Sequence, residues 1–237
     1  MPEGGTRAAA DPAAGPRDAL DEAAAKRLLA AHGIAVPRSA VISAGGDPAA
    51  ALAGLSPPFA LKVMAPGLLH KSDAGGVRLR LPDAAAVRAA RDAMLASPVI
   101  AAHAPQAFLV EEMAPPGHEV VVGGMVDARF GPVVMLGLGG IFVEVFADIA
   151  FRICPIRRHE ARDMLEELKA LPVLRGARGG VAADEDAICD VLLRLGGAGG
   201  LMADPALGIR EIDINPLIVS AAGAVAADAR ILLGAPR

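Results

Sequence analysis

Between Ala60 and Leu79 the chain reads ALKVMAPGLLHKSDAGGVRL, which sets two lysines, a histidine, an aspartate and a glycine pair in otherwise apolar surroundings. Lys62 stands inside the apolar run FALKVM. An ammonium buried there is costly unless an anion meets it, and a phosphate is a natural partner. A lysine that snorkels out of an edge strand is the plainer alternative. His70, between the lysine strand and the glycine loop, can accept a phosphoryl group or shuttle protons. A lone histidine is also an ordinary structural residue, which is how His32, His103, His118 and His159 read. In SDAGGV the small residues let backbone N–H groups approach an anion, with Gly75 and Gly76 free to take positive φ. The loop is not of the GxxxxGK[ST] type, and no GxGxxG precedes a helix.

A second group lies in EIDINPLIV. Strand alternation puts Glu211, Asp213 and Asn215 on one face and Ile212 and Ile214 on the other, while Pro216 holds Asn215 extended. If the turn in SAAGA centres near Ala222, antiparallel pairing sets Asn215 opposite a residue near Asp228. Converging carboxylates repel, so such a face suits a hard cation, most naturally Mg²⁺ with bound phosphates. The same alternation describes a half-exposed strand, and spacing does not separate the two. VEEMAPPGHEV ends one strand on Glu111 and Glu112 and starts the next at Glu119. A hinge of this kind can offer backbone groups to a base edge and a carboxylate to ribose hydroxyls, although two exposed glutamates need no ligand.

The elements that must hold these residues are legible as mixed α/β, with α+β lobes the expected class. DALDEAAAKRLLAAHG reads as a helix with Asp18 as a possible cap and Gly33 as its stop. AVIS and FALKVM read as strands, PDAAAVRAARDAMLAS as a helix capped by Asp83, and AFLVEEM and EVVVGGMVD as further strands. GPVVMLGLGGIFVEVF continues as strands around a glycine turn, two helices follow, and the last unit is a pair of strands joined by SAAGA. The 237 residues, 54% hydrophobic and 21% charged, suffice to bury a core in one large domain or two small lobes. A mean hydropathy of +0.45 is inflated by alanine. The apolar run from Phe130 to Pro155 contains Glu144, Asp148 and Arg152, so no transmembrane helix is expected. The first residues lack a signal peptide's basic start and apolar stretch and read as a disordered leader, which points to the cytoplasm. Cys154 and Cys189 have no metal or CxxC spacing and read as buried thiols of a reduced compartment. A net charge of -4 and the absence of Trp and Tyr argue against a nucleic-acid partner.

Together PFALKVMAPGLLHKSDAGGV, the segment from VEEMAPPGHEV to FRICPI, and EIDINPLIV resemble, in order, the ATP-grasp domain of ADP-forming acyl-CoA synthetases of the acetate–CoA ligase type. Specifically, they resemble the beta subunit, from about Ala19 to Leu233. The resemblance implies an ATP-grasp fold of two α+β lobes clasping ATP/ADP, with a leader over 1–17, an N-terminal lobe over 18–105 and a C-terminal lobe over 106–237. It implies that Lys62 reaches the phosphates and that Gly75 and Gly76 cover them. Glu111, Glu112, Met113 and Ala114 then form the adenine hinge, with Glu119 near the ribose. Asn215 and Asp228 become Mg²⁺ ligands with Asp213 in support. His70 matches a histidine that relays phosphate between the nucleotide and a histidine of a separate alpha subunit, which would carry the CoA-binding domain; Glu144 would orient the relay. A beta subunit of the succinate or malate type, and a non-catalytic nucleotide-sensing module, are the alternatives. The acyl substrate and the choice between ATP and GTP are not written in this chain.

Overall fold

The computed structural model describes residues 19–65, 67–68, 71–139 and 148–234; the expected leader, His70 and Glu144 fall outside them. Helix α1 spans Glu22–Ala31 and is capped by Asp21, whose carboxylate accepts from the Ala24 N–H at 2.7 Å; the cap is thus Asp21 and not Asp18. It stops where Gly33 takes a φ of 76°, a left-handed value that glycine adopts without a Cβ clash. Just before the helix, the Leu20 N–H donates to the Ile231 carbonyl at 3.0 Å, so α1 enters the molecule tied to a strand near the C-terminus.

The first sheet is built from β1 (Ser39–Ser43), β2 (Phe59–Met64), β3 (Val77–Leu81) and β4 (Ala107–Glu112), in the order β1-β4-β2-β3, with every pairing antiparallel. Phe59, Leu61, Val63, Phe108 and Val110 form one face and pack on Val87 and Met94 of the helix Ala84–Leu95, which Asp83 caps as expected. Alternation sends Ala60, Lys62, Leu109 and Glu111 to the other face.

The second sheet contains β5 (His118–Asp127), β6 (Gly131–Leu138), β7 (Ile149–Ile153), β8 (Ile209–Ser220), β9 (Gly223–Ala226) and β10 (Ala229–Leu233). Its order is β10-β8-β5-β6-β7, with β9 also on β8. Val120, Val122, Val134 and Leu136 pack on Met164 and Leu165 of the helix Arg158–Glu166 and on Ile188, Leu192 and Leu195 of Glu185–Gly196. The two-strand unit expected at the end is three strands, because the returning segment breaks at Ala227 and Asp228 between β9 and β10.

Packing groups the elements differently from a cut at residue 105. β4, expected in the second lobe, lies between β1 and β2 in the first sheet. Helix α1, expected in the first lobe, sends Ala25 and Leu29 into the second cluster. The physical reason is that the chain crosses between the sheets twice, once after α1 and once after β4. Among the described residues no helix is long and apolar enough to cross a membrane.

Leu192 is fully buried while Val181 is 70% exposed. Leu192→Ala is expected to cost about 2–5 kcal/mol of unfolding free energy, because a cavity adds to the lost transfer energy. Val181→Ser should stay within about 0.5 kcal/mol. Chemical denaturation of both variants measures the contrast.

Candidate functional site

The polar face of β2 and β4 does not look into water. Lys62 and Glu111 lie on it as diagonal neighbours, since Ala60 pairs with Glu111 and Lys62 with Leu109. Across from them stands the first turn and a half of α1, with Glu22 and Lys26 at i and i+4, both buried. The four side chains close on one another. Lys26 Nζ donates to both Glu111 oxygens at 2.6 and 2.8 Å, and Lys62 Nζ donates to Glu22 Oε1 at 2.6 Å. Lys62 also lies 3.0 Å from Glu111 Oε2, and Lys26 lies 3.1 Å from Glu22 Oε1. Each ammonium further donates to the Ala227 carbonyl at 2.6 Å. Lys71, from the loop before β3, pairs with the second oxygen of Glu22.

The electrostatics follow from this closure. Burial alone raises a carboxyl, but Lys62, Lys26 and Lys71 outweigh it and hold Glu22 down at about 2. Burial likewise disfavours the charge on Lys62, yet Glu22, Asp228 and Glu111 carry it above the ordinary lysine value. Lys26 goes the other way: burial and the neighbouring Lys62 ammonium push it down against the pull of Glu22 and Glu111. Lys62 thus remains a cation inside the protein.

The hairpin brings its oxygen ligands to the same place. Leu217 pairs with Ala226 and Ile214 with Ala229, so one register runs through the break and sets Asn215 opposite Asp228. The Asn215 N–H donates to the Asp228 carbonyl at 3.3 Å. Asp228 Oδ2 lies 3.9 Å from Lys62 Nζ, which joins the second sheet's oxygens to the first sheet's lysine. Asp213, two residues back on the Asn215 face, is raised above the ordinary aspartate value by burial, with Arg230 opposing and Glu211 and Asp228 adding to the rise. Arg230 itself pairs with Glu211. Among the described residues no three His, Cys, Asp or Glu side chains form a metal cage. A cation arriving with phosphates needs no such cage, since Mg²⁺ keeps waters and phosphate oxygens and takes one or two protein oxygens. Asn215 and Asp228 fit that donor set, and Asp213 stands two residues from Asn215 on the same strand face.

The other expected residues are placed less simply. Gly75 has the left-handed φ of 73°. The N–H groups of Gly75 and Gly76, which were to meet an anion, donate instead to Ser72 O at 3.0 Å and Lys71 O at 2.7 Å. Gly76 is needed for packing, because a Cβ there would come within 2.5 Å of Val63 Cγ1. In the hinge, Glu111 turns its carboxylate to the lysines and is buried, so it is not an exposed glutamate. Glu112 turns the opposite way, accepting from Ser56 N at 2.8 Å and pairing with Arg38 at 3.2 Å. The Met113 N–H donates to the Pro58 carbonyl at 3.1 Å. Glu119 is exposed at the start of β5, and Ala114, at the end of the hinge, is half-buried. Sequence reasoning missed Glu22 and Lys26. The available signal was an acid and a base four residues apart on the same side of α1 as the apolar Ala25 and Leu29.

Because the carboxyl of Glu22 is depressed in the folded state, its stabilisation is present above its ordinary value of 4.5 and is lost as the pH falls towards about 2. Unfolding free energy measured across that window should fall for the wild type and fall less for Glu22→Gln. Equal slopes would show that the carboxylate carries no such coupling.

The ATP-grasp domain model matches residues 12–233. The chain is 37% identical over 218 residues to the beta subunit of acetate–CoA ligase [ADP-forming] I from Pyrococcus furiosus, covering 90% of this chain and 91% of that one. Among solved structures, the dinucleotide-forming acetyl-coenzyme A synthetase 1 of Ca. Korarchaeum cryptofilum, in complex with coenzyme A, Ca-AMPCP and HgCl+, matches with a TM-score of 0.82 at 35% identity, covering 92% and 94% of the two chains. Another structure of that protein, with coenzyme A and Mg-AMPPCP and its phosphohistidine segment pointing towards the nucleotide binding site, matches with a TM-score of 0.76 at 36% identity over the same shares. With the family model spanning nearly the whole chain and a relative of this identity matched along nine-tenths of its length, the chain belongs to the ATP-grasp family and, within it, to the beta subunits of ADP-forming acetate–CoA ligases.

Proposed function

We propose that the chain is the nucleotide-binding beta subunit of an ADP-forming acyl-CoA synthetase. With an alpha subunit that carries the CoA-binding domain, it interconverts acyl-CoA, ADP and phosphate with acid, CoA and ATP. The observation that carries this reading is the meeting of Lys62, from the first sheet, with Asp228, from the break between β9 and β10, at 3.9 Å, with Asn215 opposite Asp228. Lys62 would offer a polyphosphate bound there a buried cation, and Asn215 and Asp228 would offer its accompanying Mg²⁺ two oxygen donors. The Mg-AMPPCP bound in the solved relative, and the subunit name of the P. furiosus relative, support the cofactor and the partner.

In this reading Lys62 binds and neutralises the phosphates, and its burial strengthens the attraction by excluding water. Asn215 and Asp228 would hold the metal, with Asp213 behind them, and when bound it would neutralise phosphate charge and orient the transferred group. With the Met113 N–H taken by Pro58, the Met113 carbonyl and the Ala114 backbone are the groups offered to the base, and Glu119 reaches the ribose. His70 is the covalent carrier: its ring nitrogen takes the phosphoryl group from the nucleotide or from the alpha subunit's phosphohistidine and passes it on. Glu144 orients that imidazole. Positioning and charge supply most of the barrier reduction, since phosphoryl transfer asks little covalent chemistry of the protein.

Two measurements test this. With the alpha subunit present, His70→Ala should abolish transfer of label from radioactive ATP to this chain and stop turnover, and full turnover would exclude the relay. Asp228→Ala should raise the Mg²⁺ concentration needed for nucleotide binding by on the order of tenfold, as expected for loss of one anionic ligand. An unchanged requirement would remove Asp228 from the metal site.

A further inference from the structure

Two further lysines, Lys26 and Lys71, and three carboxylates, Glu22, Glu111 and Asp228, gather around Lys62, and the lysines are not equivalent. Lys26 is 2% exposed and sits behind Lys62, while Lys62 borders Asp228, whose side chain is 34% exposed. The ammonium of Lys26 spends its three hydrogens on the two oxygens of Glu111 and on Ala227 O. Lys62 reaches Glu111 at the longer distance of 3.0 Å and holds Glu22 at 2.6 Å. Glu22 in turn has its second oxygen on Lys71. Each of these two carboxylates therefore has a lysine of its own besides Lys62: Glu111 has Lys26, and Glu22 has Lys71. Lys62 is the member of the cluster that can leave without stranding a buried charge.

We propose that Lys26 is a positioning residue that neutralises Glu111, so that Lys62 can exchange its carboxylate partners for the phosphates of the nucleotide. The proposal rests on the nucleotide-binding reading above. Without Lys26, Glu111 has Lys62 as its remaining cation and keeps it, because a carboxylate left buried and unpaired costs more than the pair yields. Phosphates then compete with an internal anion for the lysine they need. Lys26 thereby sets nucleotide affinity without contributing a bond to the ligand.

The test is calorimetric titration of the full chain with Mg²⁺ and a non-hydrolysable ATP analogue, using the wild type, Lys26→Met and Lys26→Met/Glu111→Gln. Lys26→Met is expected to weaken binding by about tenfold or more. The double variant, which removes the ammonium together with the charge it neutralises, should return to within about threefold of the wild type. Lys26 acting only as a structural strut predicts the reverse, since the double variant lacks the strut as well. Wild-type affinity in Lys26→Met, or a double variant bound as weakly as the single one, would overturn the proposal. If Lys26→Met does not fold, the double variant decides by the same threshold. A wild type that binds no nucleotide would instead bring down the underlying reading, and the proposal with it.

Discussion

Two ammonium groups and two carboxylates, sealed from water between the sheets, are what the rest of the arrangement depends on. Glu22 and Lys26 come from α1, and Lys62 and Glu111 come from adjacent strands of the first sheet. Each ion alone would face a desolvation penalty of several kcal/mol, roughly, and together they are neutral and hydrogen-bonded. Their worth is not mainly stability, because buried pairs of this kind are often replaceable by apolar residues at no loss. Removing one member, however, costs about 3–5 kcal/mol by leaving the others uncompensated. Among the four, Lys62 is the member that also borders the partly exposed Asp228, and so the one placed to meet a ligand.

The fold supplies the geometry in few steps. The bridge from Leu20 to Ile231 starts α1 beside the last strand, so the helix leans over the first sheet while its Ala25 and Leu29 anchor in the second cluster. The break between β9 and β10 frees the Ala227 carbonyl to receive both ammonium groups, and the next residue is Asp228. Lysine, metal-ligand candidates and the lobes' mutual contact are therefore set by the same few atoms. A disturbance to any of them is felt by the others.

Much of this was legible in the sequence, and the reasons differ by residue. The pairing of Asn215 with Asp228 was legible because antiparallel pairing is arithmetic: residue numbers on either side of a turn sum to a constant, and the alternation in EIDIN fixes the face. Lys62 stood out because an apolar strand rarely holds an unpaired cation. Glu22 and Lys26 were missed because an acid and a base at i and i+4 on a helix usually describe a solvated pair. The partners that close over them, Lys62 on Glu22 and Glu111 on Lys26, lie 40 and 85 residues away in the chain. The same distance in sequence hid the direction of the Glu111 side chain. Neighbouring glutamates on a strand point to opposite faces, but which face is buried is decided by what packs there. The division into lobes was misplaced for a related reason, since β4 joins the first sheet through contacts with strands far earlier in the chain.

In the proposed function, Lys62 gives up its internal carboxylates to a magnesium nucleotide held between the sheets. A crystal structure of the chain with Mg²⁺ and a non-hydrolysable ATP analogue tests it most directly. The expected result is Lys62 Nζ within about 3 Å of a phosphate oxygen, the metal about 2.1 Å from an Asp228 oxygen, and Lys26 still on Glu111. A nucleotide bound elsewhere, with Lys62 still paired to Glu22 and Glu111, would contradict the account.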